Sequence, residues 1–458
     1  MSMLILHGLR KSNAIADLCF ANNDVPERAR FVPTWLVGVV GQVPCSNERL
    51  YCMERPLCAF ESLHRRAQAG ERLTVAFMGG SLTWGARASD PQRTSYRALI
   101  GRYLDESYPQ AHFTFVDAAI GGSGSQLAVF RLQRDVLAYH PDLVFLDFTL
   151  NDDIYHTTPD TLAAYESLVR RLIGEGHCPV VQMILAARQF VAEPTMSGML
   201  RRDAHLAISR AYNTAVGDAV ALLREKYSRG EIDLDHIWPP EAFDNTHPDD
   251  PGYALFATAG WNAFQSAIQN GVACRLPEKM IHADTYLRWA RVRLSSLTPL
   301  PEGWHVANPQ RVSVAFDFYM SRWLDDVTVA ANFIERGRDQ RVPAEPARPL
   351  RVRFSGTMVL FFGESTLTSC RYRVLLDGAP APSHGQGLPA GEYDAAALAQ
   401  ACRGNAHLWT VIAEGLDAAK EHTLEIQPLF EGADKPGELR LESICVAGGQ
   451  ARVWRVQE

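Results

Sequence analysis

The sequence has no basic stripe interleaved with aromatic residues. Its net charge of -7 and pI near 6.1 have the wrong sign for a chain whose main partner is a phosphate backbone. No apolar run approaches the roughly 20 residues that cross a bilayer. Neither a nucleic-acid nor a membrane partner is therefore expected. The N-terminal stretch "MSMLILHGLRKSNAIADLCF" has a short apolar patch, but no basic lead and no small-residue cleavage site after it. The nine cysteines are odd in number and scattered. Cys45, Cys52 and Cys58 lie closest, with six and five residues between them and no histidine nearby, which is not a zinc spacing. Free thiols in a reducing compartment follow, and with no export signal recognised the expected location is the cytoplasm. No metal and no cofactor are expected.

What is present is a long globular chain. At 458 residues it exceeds one ordinary core, and 47% hydrophobic with 21% charged residues suits a globular protein with more than one domain. Residues 70–270 alternate apolar strands with amphipathic helices. The strands are read at Leu73–Met78, Phe113–Asp117, Leu143–Phe148 and Val180–Leu185, and the helices near 93–107, 125–138, 160–174 and 201–228. Strands apolar on both faces and separated by helices predict a parallel sheet covered on both sides, a three-layer α/β/α domain. Ligands of such sheets sit at the carboxyl ends of the strands.

Beyond "LTPLPEGW" (297–304) the texture changes. "RVSVAFDFYM", "DVTVAANF", "PLRVRFSGTMVLFFG", "CRYRVLLDG", "LWTVIAEGL", "HTLEIQPLF" and "LRLESICVAG" are strand-length segments divided by Gly, Pro and Asp turns. They predict an antiparallel β-sandwich of jelly-roll type. The organisation expected is an N-terminal extension over 1–68, a catalytic domain over 69–275 and the sandwich over 276–458. A helix is read in "PLCAFESLHRRAQAG" (56–70), leading into the first strand.

The loops after the strands decide the chemistry. "FMGGSLTWGA" (77–86) leaves a strand through two glycines and presents a serine. A phosphate-gripping P-loop would need a lysine after the glycines, and none follows. "AAIGGSGSQL" (118–127) partly matches a dinucleotide fingerprint, but Leu127 stands where the third small residue belongs. The nucleophile elbow of α/β-hydrolases wants glycine two residues after the serine, and Thr83 is there. A serine can still be activated by a histidine supplied from elsewhere, because triads are defined by geometry and not by order. "FDNTHPDD" (243–250) offers one: Asp244 and His247 are three residues apart, within reach across one turn. The following helix is read with Asp250 as its cap and Pro251 in its first turn. In "TLNDD" (149–153), Asp152 and Asp153 would suit a metal only with a third ligand, which the spacing does not supply.

Taken together, "MGGSLTWG", "IGGSGS", "FTLNDD" and "DNTH" resemble, in order, the four signature blocks of the SGNH (GDSL-like) hydrolase superfamily. The resemblance spans roughly residues 70–270 and implies a flavodoxin-like catalytic domain. It implies Ser81 as nucleophile, His247 as general base and Asp244 as the residue that orients it. The oxyanion hole it implies comprises the backbone N–H groups of Ser81 and Gly122 and the side-chain amide of Asn151. Two departures stand out: Thr149 replaces the family's glycine two residues before the block-three Asn, and an extra glycine leaves Gly121 and Gly124 as alternatives to Gly122.

Trp84 and Tyr155 lie beside these blocks and are expected to contact substrate, since flat rings suit sugar faces. No long apolar lid is evident, so a small acyl group is expected. The attached sandwich resembles the accessory modules of carbohydrate esterases. The expected activity is removal of acetyl groups from a small-molecule or oligosaccharide ester. Acyl transfer to a sugar hydroxyl and carbohydrate binding by a vestigial domain are the alternatives, and a homo-oligomer is possible.

Overall fold

The structure, a computed structural model, describes residues 58–310, 324–335, 341–344, 347–432 and 435–456. The segment "RVSVAFDFYM" and nearly all of the N-terminal extension lie outside these residues. The chain enters through a two-residue strand β1 (Cys58–Ala59) and helix α1 (Phe60–Gln68), whose Phe60, Leu63 and Ala67 are buried. The α/β domain follows as β2 (Arg72–Gly79), α2 (Ser81–Trp84), α3 (Tyr96–Ser107), β3 (His112–Ala119), α4 (Ser125–Asp135), β4 (Leu143–Leu146), α5 (Pro159–Gly174) and β5 (Val180–Ile184). It continues through α6 (Arg188–Ala192), α7 (Leu200–Tyr212), β6 (Ala215–Asp218), α8 (Ala219–Ser228), α9 (Leu234–Ile237), α10 (Asp250–Gln269) and β7 (Ala273–Cys274).

The sheet has the order β3-β2-β4-β5-β6, parallel throughout. Helix α10 packs with α1, α3 and α8, and α5 packs with α4 and α7, giving the two helical layers. The short β1 pairs with β7, which joins α1 to the end of this domain. The strand order reverses between β2 and β4, and a crevice at their carboxyl ends is where such sheets bind ligands.

One element departs from the sequence reading. The helix expected over 201–228 is two helices with strand β6 between them. Asn213, in the left-handed conformation at φ 51°, ends α7. After Thr214, Ala215–Asp218 complete the sheet as its fifth strand, and Asp218 also caps α8 through the amide of Ala221 (3.0 Å). In "AVGDAVALLREK" the helix formers follow Asp218, and the four residues before them are taken up by pairing with β5.

The second part of the chain contains β8 (Trp289–Arg293), β9 (Trp304–Ala307), β10 (Val327–Ala331), β11 (Phe333–Glu335), β12 (Arg341–Pro343), β13 (Leu350–Ser355), β14 (Met358–Ser365), β15 (Arg371–Leu376), β16 (Ala379–Pro380) and β17 (Glu392–Asp394). A short helix α11 (Ala397–Cys402), β18 (Ala406–Ala413), β19 (His422–Leu429), β20 (Glu438–Ala447) and β21 (Arg452–Arg455) complete it. One antiparallel sheet runs β18-β14-β20-β10-β9, with β8 beside β20. The other runs β16-β15-β19-β13-β21, with β17 beside β15.

Burial shows how the two parts meet. Strand β13 alternates, with Leu350, Val352 and Phe354 turned into the sandwich, as expected of a sheet with one wet face. Every residue of β14 is buried. Its Val359 and Phe361 join the core between the two sheets, whereas Met358, Leu360 and Phe362 join the core of the α/β domain. Strand β20 divides likewise: Leu439, Leu441, Ile444 and Val446 face the sandwich, and Cys445 and Ala447 face the α/β domain. Around this shared core, Arg134 pairs with Asp325 (2.8 Å) and the Arg171 guanidinium lies 4.6 Å from the Trp289 ring.

Candidate active site

Strand β2 delivers the chain to the sheet edge at Gly79, and the next residues form one helical turn beginning at Ser81. The glycine pair is there for close approach and not for unusual backbone torsion, since neither has a positive φ. A Cβ at Gly79 would stand 2.2 Å from Thr83 Oγ1, and one at Gly80 would stand 2.1 Å from Asn151 Oδ1. The block-three amide therefore lies directly over the backbone that presents the serine, which accounts for the two glycines before Ser81.

Ser81 Oγ is 2.7 Å from His247 Nε2, and His247 Nδ1 is 2.8 Å from Asp244 Oδ2. The other Asp244 oxygen accepts the amides of Thr246 (2.9 Å) and His247 (3.0 Å). Burial works against ionisation of Asp244, but the hydrogen bonds from His247 and these amides outweigh it, holding the carboxyl below its usual range. The loop carrying the pair is fastened at several points. Buried Trp238 donates to Thr246 O (3.4 Å), the Arg188 amide donates to Asn245 O (2.8 Å), and the Asp249 amide donates to Ile237 O (2.9 Å).

Asp250 does not cap α10 as expected. The N-cap is Asp249, and Asp250 is the first helical residue. Its carboxylate reaches instead to the Ser89 amide (2.8 Å) and Thr94 Oγ1 (2.8 Å), while Asp249 pairs with Arg87 (2.6 Å). The loop after the serine is thus tied to the start of the helix that follows the histidine.

The block-two segment turns between Ile120 and Ser123, whose amide donates to Ile120 O (3.2 Å). Gly122 has φ +70°, the left-handed region that only glycine enters without strain, and it is exposed. Helix α4 then starts at Ser125, whose amide donates to Asp152 Oδ1 (2.9 Å). Asp152 and Asp153 diverge: the first is buried against α4, and the second accepts from the Tyr155 amide (2.9 Å) and lies 2.9 Å from His156 Nδ1. Among the described residues no group of three or more His, Cys, Asp or Glu is placed to hold a metal ion.

The replaced family glycine has a use here. Thr149 is buried with Oγ1 2.9 Å from His205 Nδ1, and the His205 ring stacks on Tyr165. Beneath the serine turn, burial pushes the Asp147 carboxyl up to about 7, although Thr83 Oγ1 donates to it at 3.3 Å.

Of the two aromatic residues expected to meet substrate, Trp84 is 9% exposed and part of the domain core. The single turn of α2 buries all four of its residues, so the ring is turned inward. Tyr155 is half-buried, its hydroxyl bonded to Glu193 and its ring edge-on to Phe190.

Residues 77–255 match the model of the GDSL-like lipase/acylhydrolase family. Over those residues the chain carries a GDSL-like acylhydrolase domain. Two solved structures resemble it over both parts. One is a two-domain esterase active on acetylated mannans, co-crystallised with mannopentaose: TM-score 0.64, 22% identity, covering 85% of this chain and 95% of that chain. The other is a two-domain esterase active on acetylated mannans, with TM-score 0.62, 21% identity and the same coverage. At these identities the likeness carries the fold, an SGNH domain with an accessory sandwich. No curated protein matches the sequence. No helix among the described residues is long and apolar enough to cross a membrane.

Sequence reasoning missed Asp152, which joins blocks two and three, and Trp409 on β18, whose indole Nε1 donates to Gly122 O (3.0 Å). Asp152 was visible in "LNDD" but was weighed only as a metal ligand, and set aside for want of a third. Trp409 lies 287 residues from its partner, and nothing local marks it.

Proposed function

We propose that the hydrolase removes acetyl groups from an O-acetylated saccharide through an acyl-enzyme. The observation that carries the reading is the unbroken chain Ser81–His247–Asp244, with contacts of 2.7 and 2.8 Å. A serine hydroxyl is a poor nucleophile at neutral pH and needs an adjacent base. His247 Nε2 takes the Ser81 proton as Oγ attacks the ester carbonyl, and returns it to the departing sugar oxygen. Water, activated the same way, then releases acetate. Asp244 stays ionised and stabilises the imidazolium that forms in each half-reaction.

The N–H groups of Ser81 and Gly122 and the Asn151 amide receive the tetrahedral oxyanion, each such donor being worth roughly 3 kcal/mol. The closeness of Asn151 to Gly80 supports its part in this. Tyr155, half-buried on the block-three loop, offers a ring face to the sugar. The saccharide is supported by the similarity of the whole two-part architecture to an esterase active on acetylated mannans.

Ser81→Ala tests the reading. It should abolish hydrolysis of p-nitrophenyl acetate with the fold retained, and a serine-directed phosphonate should label Ser81 in the parent enzyme. The parent should prefer acetate to longer acyl chains and release acetate from acetylated glycans. Undiminished turnover in the variant would remove Ser81 from the mechanism, and a preference for long chains would remove the acetyl specificity.

A further inference from the structure

Gly122 is held from outside its own domain. Its carbonyl oxygen accepts the indole N–H of Trp409 at 3.0 Å. Two residues earlier on β18, the wholly buried imidazole of His407 faces the same residue, and a Cβ at Gly122 would stand 3.7 Å from its Cε1. Residues 407 and 409 share one face of the strand. In register, Trp409 stands opposite Phe362 of β14, which is buried in the core shared with the α/β domain. The indole also covers the residue just before α4, since a Cβ at Gly124 would stand 3.7 Å from its Cη2. On the other side of this loop, Asp152 Oδ1 holds the Ser125 amide. The glycine loop is therefore gripped between Asp152 of its own domain and two side chains of the sandwich.

Gly122 contributes two peptide planes, and its own N–H belongs to the first of them. With no side chain, a glycine at φ +70° has little intrinsic preference to fix the angle between those planes. The second plane is pinned from both ends, its Ser123 N–H closing the turn on Ile120 O (3.2 Å) and its carbonyl held by Trp409, and this limits the rotation of the first plane that carries the Gly122 N–H.

We propose that Trp409 is a positioning residue for ester hydrolysis: by fixing the Gly122 carbonyl it aims the Gly122 N–H at the oxyanion, so the accessory sandwich completes the oxyanion hole. This rests on the reading of Gly122 as an oxyanion donor. The effect falls on transition-state stabilisation, because a ground-state carbonyl needs the donor far less than the oxyanion does.

Trp409→Phe keeps a ring over the loop and removes the N–H. Gly122 is exposed and its backbone also bonds the His407 imidazole, so the carbonyl is not left bare and the fold should tolerate the change. The expected result on p-nitrophenyl acetate is a fall in kcat of about tenfold, less than the 10²–10³ for outright loss of a donor, with KM little changed. Phosphonylation of Ser81 should slow in parallel, since the phosphonyl oxygen uses the same donors. Benzothienylalanine at 409, isosteric with tryptophan but lacking the N–H, should reproduce the loss if phenylalanine packs poorly. Asp325→Ala breaks the interdomain pair with Arg134 away from this loop and should leave kcat unchanged.

Full kcat in both Trp409 variants, in an enzyme that Ser81→Ala silences, would overturn the proposal while the triad reading stood. An equal loss in Asp325→Ala would assign the effect to domain docking in general and overturn it as well. Activity surviving Ser81→Ala would overturn the underlying reading instead.

Discussion

The two sides of the proposed site draw on different amounts of the molecule. The side carrying Asp244 and His247 is fastened from within the α/β domain, by Trp238, by Arg188 and by the helix that begins at Asp250. The oxyanion side is fastened partly by the sandwich, through Trp409. The difference teaches that a domain holding every proposed catalytic residue need not be a complete catalyst. The burial of β14 and β20 agrees, because both strands place alternate side chains in two cores at once.

Cutting the chain after residue 275 breaks this comparison most severely. The fragment keeps Ser81, Asp244 and His247 but loses β8, β14, β18 and β20. It would expose the α/β surface now covered by Met358, Leu360 and Phe362, an apolar patch that a water-soluble chain does not carry freely. The expected outcome is an insoluble fragment, or a soluble one without activity even on p-nitrophenyl acetate. A soluble fragment with full activity would show that the sandwich neither supports the fold nor completes the site.

The base side is sharpened by comparing its two members. His247→Ala removes the proton acceptor and should lower kcat by about 10⁵–10⁶. Asp244→Asn leaves the imidazole in place without its charged partner and should cost less, about 10²–10⁴. Both losses should appear with thermal stability close to the parent's. A variant at 247 with near-normal turnover would dissolve the base side altogether.

How much of this was legible in the sequence follows the same division. The base side is local: an aspartate and a histidine one turn apart announce themselves, and so did the serine after a glycine pair at a strand end. Four of the five parallel strands were readable because each is an apolar run between helices. The fifth, Ala215–Asp218, was hidden because a run of four residues between two helical patterns is too short to read as a strand, and it is paired only by the neighbouring strand. Trp84 was misjudged because sequence proximity to the serine says nothing about which way a one-turn helix points its ring. Asp250 was misjudged by a single residue of register at a helix start, which is enough to free its carboxylate for a loop. The contact of Trp409 with Gly122 could not be read at all, since it depends on how two domains dock. One signal was available and unused: "MVLFFG" does not alternate, as a sandwich strand with a wet face should, and that marks a sheet covered on both sides.

The smallest expected effect lies at the joint between the two sides. Asp152 is adjacent to Asn151, holds the first amide of α4 with Oδ1, and has no hydrogen-bond partner for its buried Oδ2 among the described residues. Burial pushes its carboxyl up to about 6 from 3.8, against the opposing pull of the Ser125 hydrogen bonds and the Arg201 charge. A carboxyl raised on folding binds its proton more tightly in the native state than in the unfolded chain. Its contribution to stability is therefore full below the unfolded value and fades as pH rises through the native one, by at most about 3 kcal/mol for a shift of this size. Asp152→Asn keeps an acceptor for the Ser125 amide and cannot ionise. Parent and variant should differ least in melting temperature below about pH 4, and the parent should fall progressively behind between about pH 4 and 6 and change little above that. Parallel melting curves across that window would mean that Asp152 is ionised and solvated in the native state, and that the loop joining the two sides is more open than its packing describes.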